Sequence, residues 1–387
     1  MLRSCLIMFS LCSINMAIFA QTRIIPFITA RVDTTDTDVK QIYKLYTNYL
    51  NAAPDSIYPN PYWNMAEKDA NYIVKISHVD RAAETIFNSY NHDDFFRLYQ
   101  PKILLIEKSE ENRFMIKVLF DAHNSVEMQP HSPFGVIKLY ASKNTLGEFK
   151  LENSRYEELK NWKVYKQDYI TYFVPTTIPF HIERAKKTKA FCDSIANMFG
   201  IKEISPIKCY MTVGTESMWR LFNFDYYLYG GTGLAAMSKH EIYTAFGRED
   251  LLHEFVHVLL PRPKNPTGLN HNLITEGVAT WLTGPTQSIT FGEALHLVSI
   301  RFNKEMPQSL DDIFSYKYRN KFDNTIFYVT GAVICKLVYE KAGLNGFWEI
   351  YNCPNDLEKL KNELSKVLKK PYPKIEKDII KYISEIN

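Results

Sequence analysis

The chain has 387 residues, 46% hydrophobic and 23% charged, ordinary values for a water-soluble globular protein and enough length for one large domain or two of common size. A formal net charge of +3 is too small to argue for a nucleic acid or an anionic membrane as partner. The 25 tyrosines and 24 phenylalanines are spread along the whole chain and read as packing before they read as a binding face.

Residues 1–20 have the pattern of a secretory signal. Arg3 supplies the positive start, Leu6 to Phe19 is mostly apolar, and Ala20 before Gln21 offers a small residue at a cleavage point. The apolar core is short against the roughly 20 residues of a membrane span; a retained anchor is the other reading. Neither Cys5 nor Cys12 has the small-residue context of a lipid-attachment site. No later apolar run is long enough to span a bilayer, so the mature protein is expected to be exported and soluble. Four cysteines follow the signal: Cys192, Cys209, Cys335 and Cys353. An exported protein can form two disulfides from them, with a connectivity the sequence does not give. Cys335, in an apolar helical stretch, reads as a core thiol, and the spacings do not suit zinc.

Asp36 to Leu50 predicts a helix with Ile42, Leu45, Tyr46 and Tyr49 on one face, and a second helix is expected through Val79 to Tyr90. Strand-like runs follow at Ile103–Ile106, Arg113–Phe120 and Phe134–Ala141, together suggesting an α+β module without identifiable chemistry. After Trp162 the texture changes: a strand at Tyr169–Val174, a helix over Phe180–Phe199 stopped by Gly200, and a strand at Ile207–Val213. A glycine cluster comes next (Gly230, Gly231, Gly233), and beyond Arg248 nearly everything reads as helix.

Leu251 to Leu260 reads Leu-Leu-His-Glu-Phe-Val-His-Val-Leu-Leu. Glu249 and Asp250 suit the start of this helix, where negative charge complements its dipole, and Pro261 and Pro263 end it. An element so apolar is buried, and burying His253, Glu254 and His257 without partners would cost several kcal/mol. Residues four apart share a face, so both imidazoles can approach one zinc ion at about 2.0–2.1 Å. Glu254 sits beside the first ligand, where it reaches a water on the metal but is angled away from ligation. Five residues are a weak signature alone, and a hydrolytic zinc site needs a third protein ligand. Glu276, the only charge in Asn272–Pro285, is the candidate. Asn272 is expected to cap its helix, Gly284-Pro285 to end it, and Gly277 and Ala279 to leave room for a second helix. Thr275 and Thr280 are candidates to bond the Glu276 carboxylate, and His240 and His271 flank the region.

His253-Glu254-x-x-His257, eighteen intervening residues, then Glu276-Gly277-x-Ala279 resembles the gluzincin metallopeptidases, particularly the aminopeptidase-N-like branch. The motifs occupy residues 253–279; over roughly residues 165 to 350 the similarity is one of element order. The resemblance implies zinc (Zn2+) on His253, His257 and Glu276, with Glu254 activating water. A tyrosine on a later helix stabilises the oxyanion in that family, and Tyr328 of Tyr328-Val-Thr-Gly331 is the counterpart, although Val329 and Thr330 stand where the family carries charged residues. Gly331 inside a helix costs about 1 kcal/mol relative to alanine, which close packing would explain. Aminopeptidases of the branch carry a Gly-x-Met-Glu-Asn segment that recognises a free amino terminus. The counterpart here, Gly231-Thr-Gly233-Leu234-Ala235-Ala-Met237, lacks the glutamate. Gly231, Gly233, Leu234 and Ala235 suit either an edge strand pairing with an extended substrate or a tight turn.

The expectation is an α+β protein: a signal at 1–20, an α+β accessory domain at 21–160, and at 161–387 a mostly helical, zincin-like metallopeptidase domain with a small mixed sheet. Its partner is a peptide or protein substrate, with endopeptidase favoured over aminopeptidase and no nucleic acid or membrane span. The competing reading is an exported binding protein with a structural or inactive zinc site. A hydrolase acting on something other than peptides is a third.

Overall fold

The computed structural model describes residues 23–56, 60–67, 78–87, 90–122, 132–228, 230–231, 233–261, 271–286, 288–304, 307, 309–314 and 325–385. The expected signal segment and its cleavage point, Cys5, Cys12 and Pro263 lie outside the described residues.

The first half is a sheet with helices packed on it. β1 (Phe27–Ile28) precedes α1 (Thr37–Leu50), whose Asp36 carboxylate accepts hydrogen bonds from the Asp38 and Val39 amides, a regular N-cap. Its buried face carries Val39, Ile42, Tyr46, Tyr49 and Leu50, as the spacing predicts, with Leu45 half-buried. The helix expected from Val79 to Tyr90 is shorter, α2 (Arg81–Phe87), and α3 (His92–Leu98) follows. β2 (Tyr99–Glu110), β3 (Arg113–Ala122), β4 (Gly135–Lys143) and β5 (Phe149–Asn153) form an antiparallel meander whose residues alternate between buried and half-exposed along much of each strand. α4 (Arg155–Leu159) leads out of it.

A second, five-stranded sheet follows. β6 (Lys163–Gln167) and β7 (Ile170–Val174) form a hairpin, α5 (Ile182–Met198) crosses over, and β8 (Ile207–Met211) returns parallel to β7. After α6 (Thr215–Arg220), β9 (Phe224–Tyr227) leaves this sheet and pairs with β4 of the first. β10 (Gly233–Ala236) and β11 (Glu241–Thr244) complete the order β10-β11-β8-β7-β6, with β10 at the edge. The remainder is helical: α7 (Leu252–Leu259), α8 (Asn272–Thr283), α9 (Phe291–Lys304), α10 (Leu310–Phe314), α11 (Thr325–Tyr351, kinked at Gly343), α12 (Leu357–Leu368) and α13 (Tyr372–Ser384). The molecule is therefore α+β, with a sheet-rich N-terminal region and a mostly helical C-terminal region built on a small mixed sheet.

The central strands of the second sheet pack on both faces, β11 being buried at every position, while the edge strands β6 and β10 are more open. Tyr172, Cys209, Met211 and Ile242 face the helices. Phe173, Tyr210 and Tyr243 face the other way, into the core of the N-terminal sheet. Those three rings stack across β7, β8 and β11 at centroid separations of 4.6 and 5.0 Å. That core also takes in Met218, Leu221, Phe222 and Phe224, so it draws on chain from both sides of residue 160. Cys192, Cys209, Cys335 and Cys353 are buried free thiols.

Candidate metal centre

α7 carries the two histidines on one face, ring centroids 4.9 Å apart. The start of this helix differs from expectation. Glu249 is fully buried and faces α5: one carboxylate oxygen accepts the His181 amide at 2.5 Å and lies 3.1 Å from His181 Nδ1. Asp250 pairs with Arg248 at 3.1 Å. The acidic residues before α7 thus serve the N-terminus of α5 and a local turn, and Leu251 precedes α7 without a side-chain cap.

α8 brings the third group. His253 Nε2 lies 3.2 Å and His257 Nε2 3.6 Å from the same Glu276 oxygen, Oε2. Three ligands at 2.0–2.1 Å on the corners of a tetrahedron are about 3.3 Å apart, so the separations match donors arranged around a small divalent cation. His253, His257 and Glu276 form a group that could hold a metal ion. His257 is 7% exposed, while the Glu276 side chain keeps 31% of its surface open; the group is walled on the helix side and accessible on the other. His253 Nδ1 lies 3.2 Å from the Gly284 carbonyl. Donation there fixes the tautomer and leaves Nε2 as the free lone pair. His257 Nδ1 is buried with no hydrogen-bond partner among the described residues.

The two carboxylates respond oppositely to this setting. Burial raises the pKa of Glu254, and Glu276 adds to it, against the opposing pull of the two histidines and the Ala235 amide. Burial acts on Glu276 as well, but hydrogen bonds and charge from His253 and His257 outweigh it and hold that carboxyl far below the usual range. Burial lowers His257, yet the adjacent Glu276 and Glu254 raise it overall.

Two glycine contacts set the geometry. Gly277, next to Glu276, and Gly331 of α11 lie backbone against backbone: a Cβ on Gly277 would fall 2.3 Å from the Gly331 carbonyl carbon, and one on Gly331 2.2 Å from the Leu273 oxygen. The close helix approach expected at Gly277 is present, and α11 is the partner. It brings Tyr328 close, its ring centroid 6.4 Å from that of His253. A Cβ on Gly233 would lie 2.2 Å from Leu251 Cδ2 and 3.0 Å from Glu254 Oε1, so a larger residue there would have to displace those two side chains. The segment Gly233–Ala236 is an edge strand antiparallel to β11, with Leu234 and Ala235 half-buried. Gly231 lies just before it, its carbonyl accepting from the Thr215 hydroxyl at 3.0 Å.

Several expected supports are elsewhere. The Thr275 hydroxyl donates to the His271 carbonyl at 3.3 Å, the ordinary back-bond of a helical threonine, and Thr280 Oγ1 is buried without a hydrogen-bond partner among the described residues. The cap of α8 is His271, whose Nδ1 accepts the Leu273 amide at 3.3 Å, while the Asn272 amide donates to Asn355. His240 ends the turn Met237–Lys239 in the left-handed conformation. The Gly284 carbonyl and the Ala235 amide, both backbone groups, carry no side-chain signal from which a sequence reading could find them. No protein-family model matches the chain, and no curated protein matches it.

Proposed function

We propose that the protein is an exported zinc-dependent peptidase of the gluzincin kind, with His253, His257 and Glu276 as metal ligands. A single observation carries the reading: three donors from two helices lie within 4.8 Å of one another, both imidazoles 3.2 and 3.6 Å from one Glu276 oxygen, beside a half-buried glutamate that is not one of them. Zinc, when bound, supplies Lewis acidity towards water and towards a carbonyl oxygen. Glu254 accepts the proton of the attacking water and passes it to the departing amine, a role suited to a carboxyl whose pKa burial has raised. Its geometry is held by the Ala235 amide on one side and the rigid α7 backbone below. Tyr328 offers its hydroxyl to the charge developing on the carbonyl oxygen. β10 lies at the sheet edge, where an extended peptide can add alongside it. Its segment contains no acid to bind a free amino terminus, which favours internal cleavage over removal of terminal residues.

The test is metal analysis of the purified mature protein coupled to digestion of casein or a peptide library, with and without a chelator. Chelator-sensitive cleavage at internal bonds supports the proposal. Stoichiometric zinc without hydrolysis turns it into the alternative, an exported binding protein with a structural or inactive zinc site.

A further inference from the structure

Side chains along β10 alternate between the two faces of its sheet. A Cβ on Gly233 would point at Leu251 and Glu254, and Ala235 packs with the helical core on the same side. Leu234 and Ala236 pack instead against the core of the N-terminal sheet. A peptide added at the edge of β10 continues this alternation. Every second side chain then faces away from the metal group and onto the N-terminal region.

That side of the sheet has a particular chemistry. Register sets Leu234 opposite Tyr243, Tyr243 opposite Tyr210, and Tyr210 opposite Phe173, one row of large apolar side chains across four strands. Within the row Tyr210 and Tyr243 are 2% and 0% exposed, whereas Leu234, at its open end, is only half-buried. Trp219 borders that end. A Cβ on Gly231, two residues before Gly233, would lie 3.9 Å from Trp219 Cζ2. The indole is tied to the row through Phe222, which lies 5.6 Å from it and 4.5 Å from Tyr243 between ring centroids. It is itself half-buried. The next place in the row belongs to the peptide, and aromatic or branched side chains are the ones that attract across strands at that spacing.

We propose that Leu234 and Trp219 form a specificity subsite for a large apolar or aromatic side chain of the peptide. The position it reads is the one next to the residue lying over Glu254. This rests on the peptidase reading and adds the substrate class to it. The helices α7 and α8 perform the chemistry, and the face shared with the N-terminal region chooses the sequence.

The full mature chain, loaded with zinc, serves for the test. Library cleavage should enrich Phe, Tyr or Leu at a single position near the cut. For two peptides differing there by Phe or Ala, kcat/KM should favour Phe about tenfold, the scale of an apolar pocket contact. Leu234→Ala should bring that ratio close to one. The ratio is internal, so a less stable variant lowers both rates without moving it. Should Leu234→Ala cleave neither peptide, Trp219→Leu is read in the same way. No enrichment in the wild type, or a ratio that the variant leaves unchanged, overturns the subsite and leaves the peptidase reading intact. A zinc-loaded wild type that cleaves nothing overturns the peptidase reading instead. Fluorescence anisotropy of the two labelled peptides on that protein then decides the subsite: the Phe peptide should bind about tenfold more tightly, and equal binding overturns the proposal.

Discussion

Glu254 and Glu276 lie beside the same two histidines, and their neighbours sort them into a group whose pKa is raised and a group held ionised. Such a split between adjacent carboxylates assigns roles: the ionised one ligates, the raised one moves protons. Glu254→Gln keeps the shape and removes the proton acceptor. It should hold one zinc per chain by atomic absorption while turnover falls by about 10²–10⁴, the usual contribution of general acid–base catalysis; near-wild-type turnover would end the assignment. His257→Ala should instead lose the metal. These side chains were legible because three ionisable groups on an apolar helix demand partners, and four-residue spacing says where they point. Their supports were not. The Gly284 carbonyl on His253 and the Ala235 amide on Glu254 are backbone groups, placed by a helix end and a strand edge that only the folded chain brings near.

At the level of elements, the site depends on how closely α8 and α11 cross. Gly277 and Gly331 let the two backbones touch, and a methyl group at Gly331 must push α8 away. Gly331→Ala should therefore destabilise metal-free protein by about 1–3 kcal/mol despite the better helix propensity of alanine. It should also weaken zinc binding in chelator competition, because Glu276 moves with α8; stability equal to wild type would show that the crossing is slack. The start of α8 carries a second, pH-dependent weakness. His271 caps the helix with an unprotonated Nδ1, and burial lowers its pKa from 6.5 to about 4 against the opposing charge of Asp356. Its folded pKa lies below its unfolded one, so the stabilisation is complete above pH 6.5 and drains as the pH falls towards 4, by about 3 kcal/mol at roughly 1.4 kcal/mol per unit. His271→Asn keeps a good cap without the titration. Metal-free His271→Asn should lose less stability between pH 6.5 and 4 than wild type does, and parallel profiles would refute the role. Asn272 looked like the cap from sequence because asparagine is the commoner choice; a buried histidine one position earlier holds the place.

Across the whole molecule, a buried charge cluster joins the two regions. Glu241 of β11 is fully buried, with Arg81 of α2 at 3.0 Å and Arg155 of α4 at 3.1 Å, while the Tyr243 hydroxyl donates to it at 2.5 Å. Burial would push the Glu241 carboxyl up, but Arg81 and Lys239 bring it below its usual range. The strand they grip is the direct neighbour of β10, so the N-terminal region braces the sheet whose edge lies over Glu254. The α+β class was legible in the sequence. The traffic between the two regions was not, because β9 and β11 are four residues each, too short to show a period, and the partners of Glu241 lie 160 and 86 residues away. Removing Arg81 leaves the buried carboxylate to Arg155 and the Tyr243 hydroxyl, at the cost of a charge-assisted hydrogen bond, about 1.5–3 kcal/mol. Arg81→Ala should lose stability on that scale, and because the cores are shared across β9 and β11, both regions should melt in one calorimetric transition with matching calorimetric and van't Hoff enthalpies. Two separated transitions in the wild type, or an Arg81→Ala protein as stable as its parent, would mean that the N-terminal region merely rests against the metal-bearing half and does not brace it.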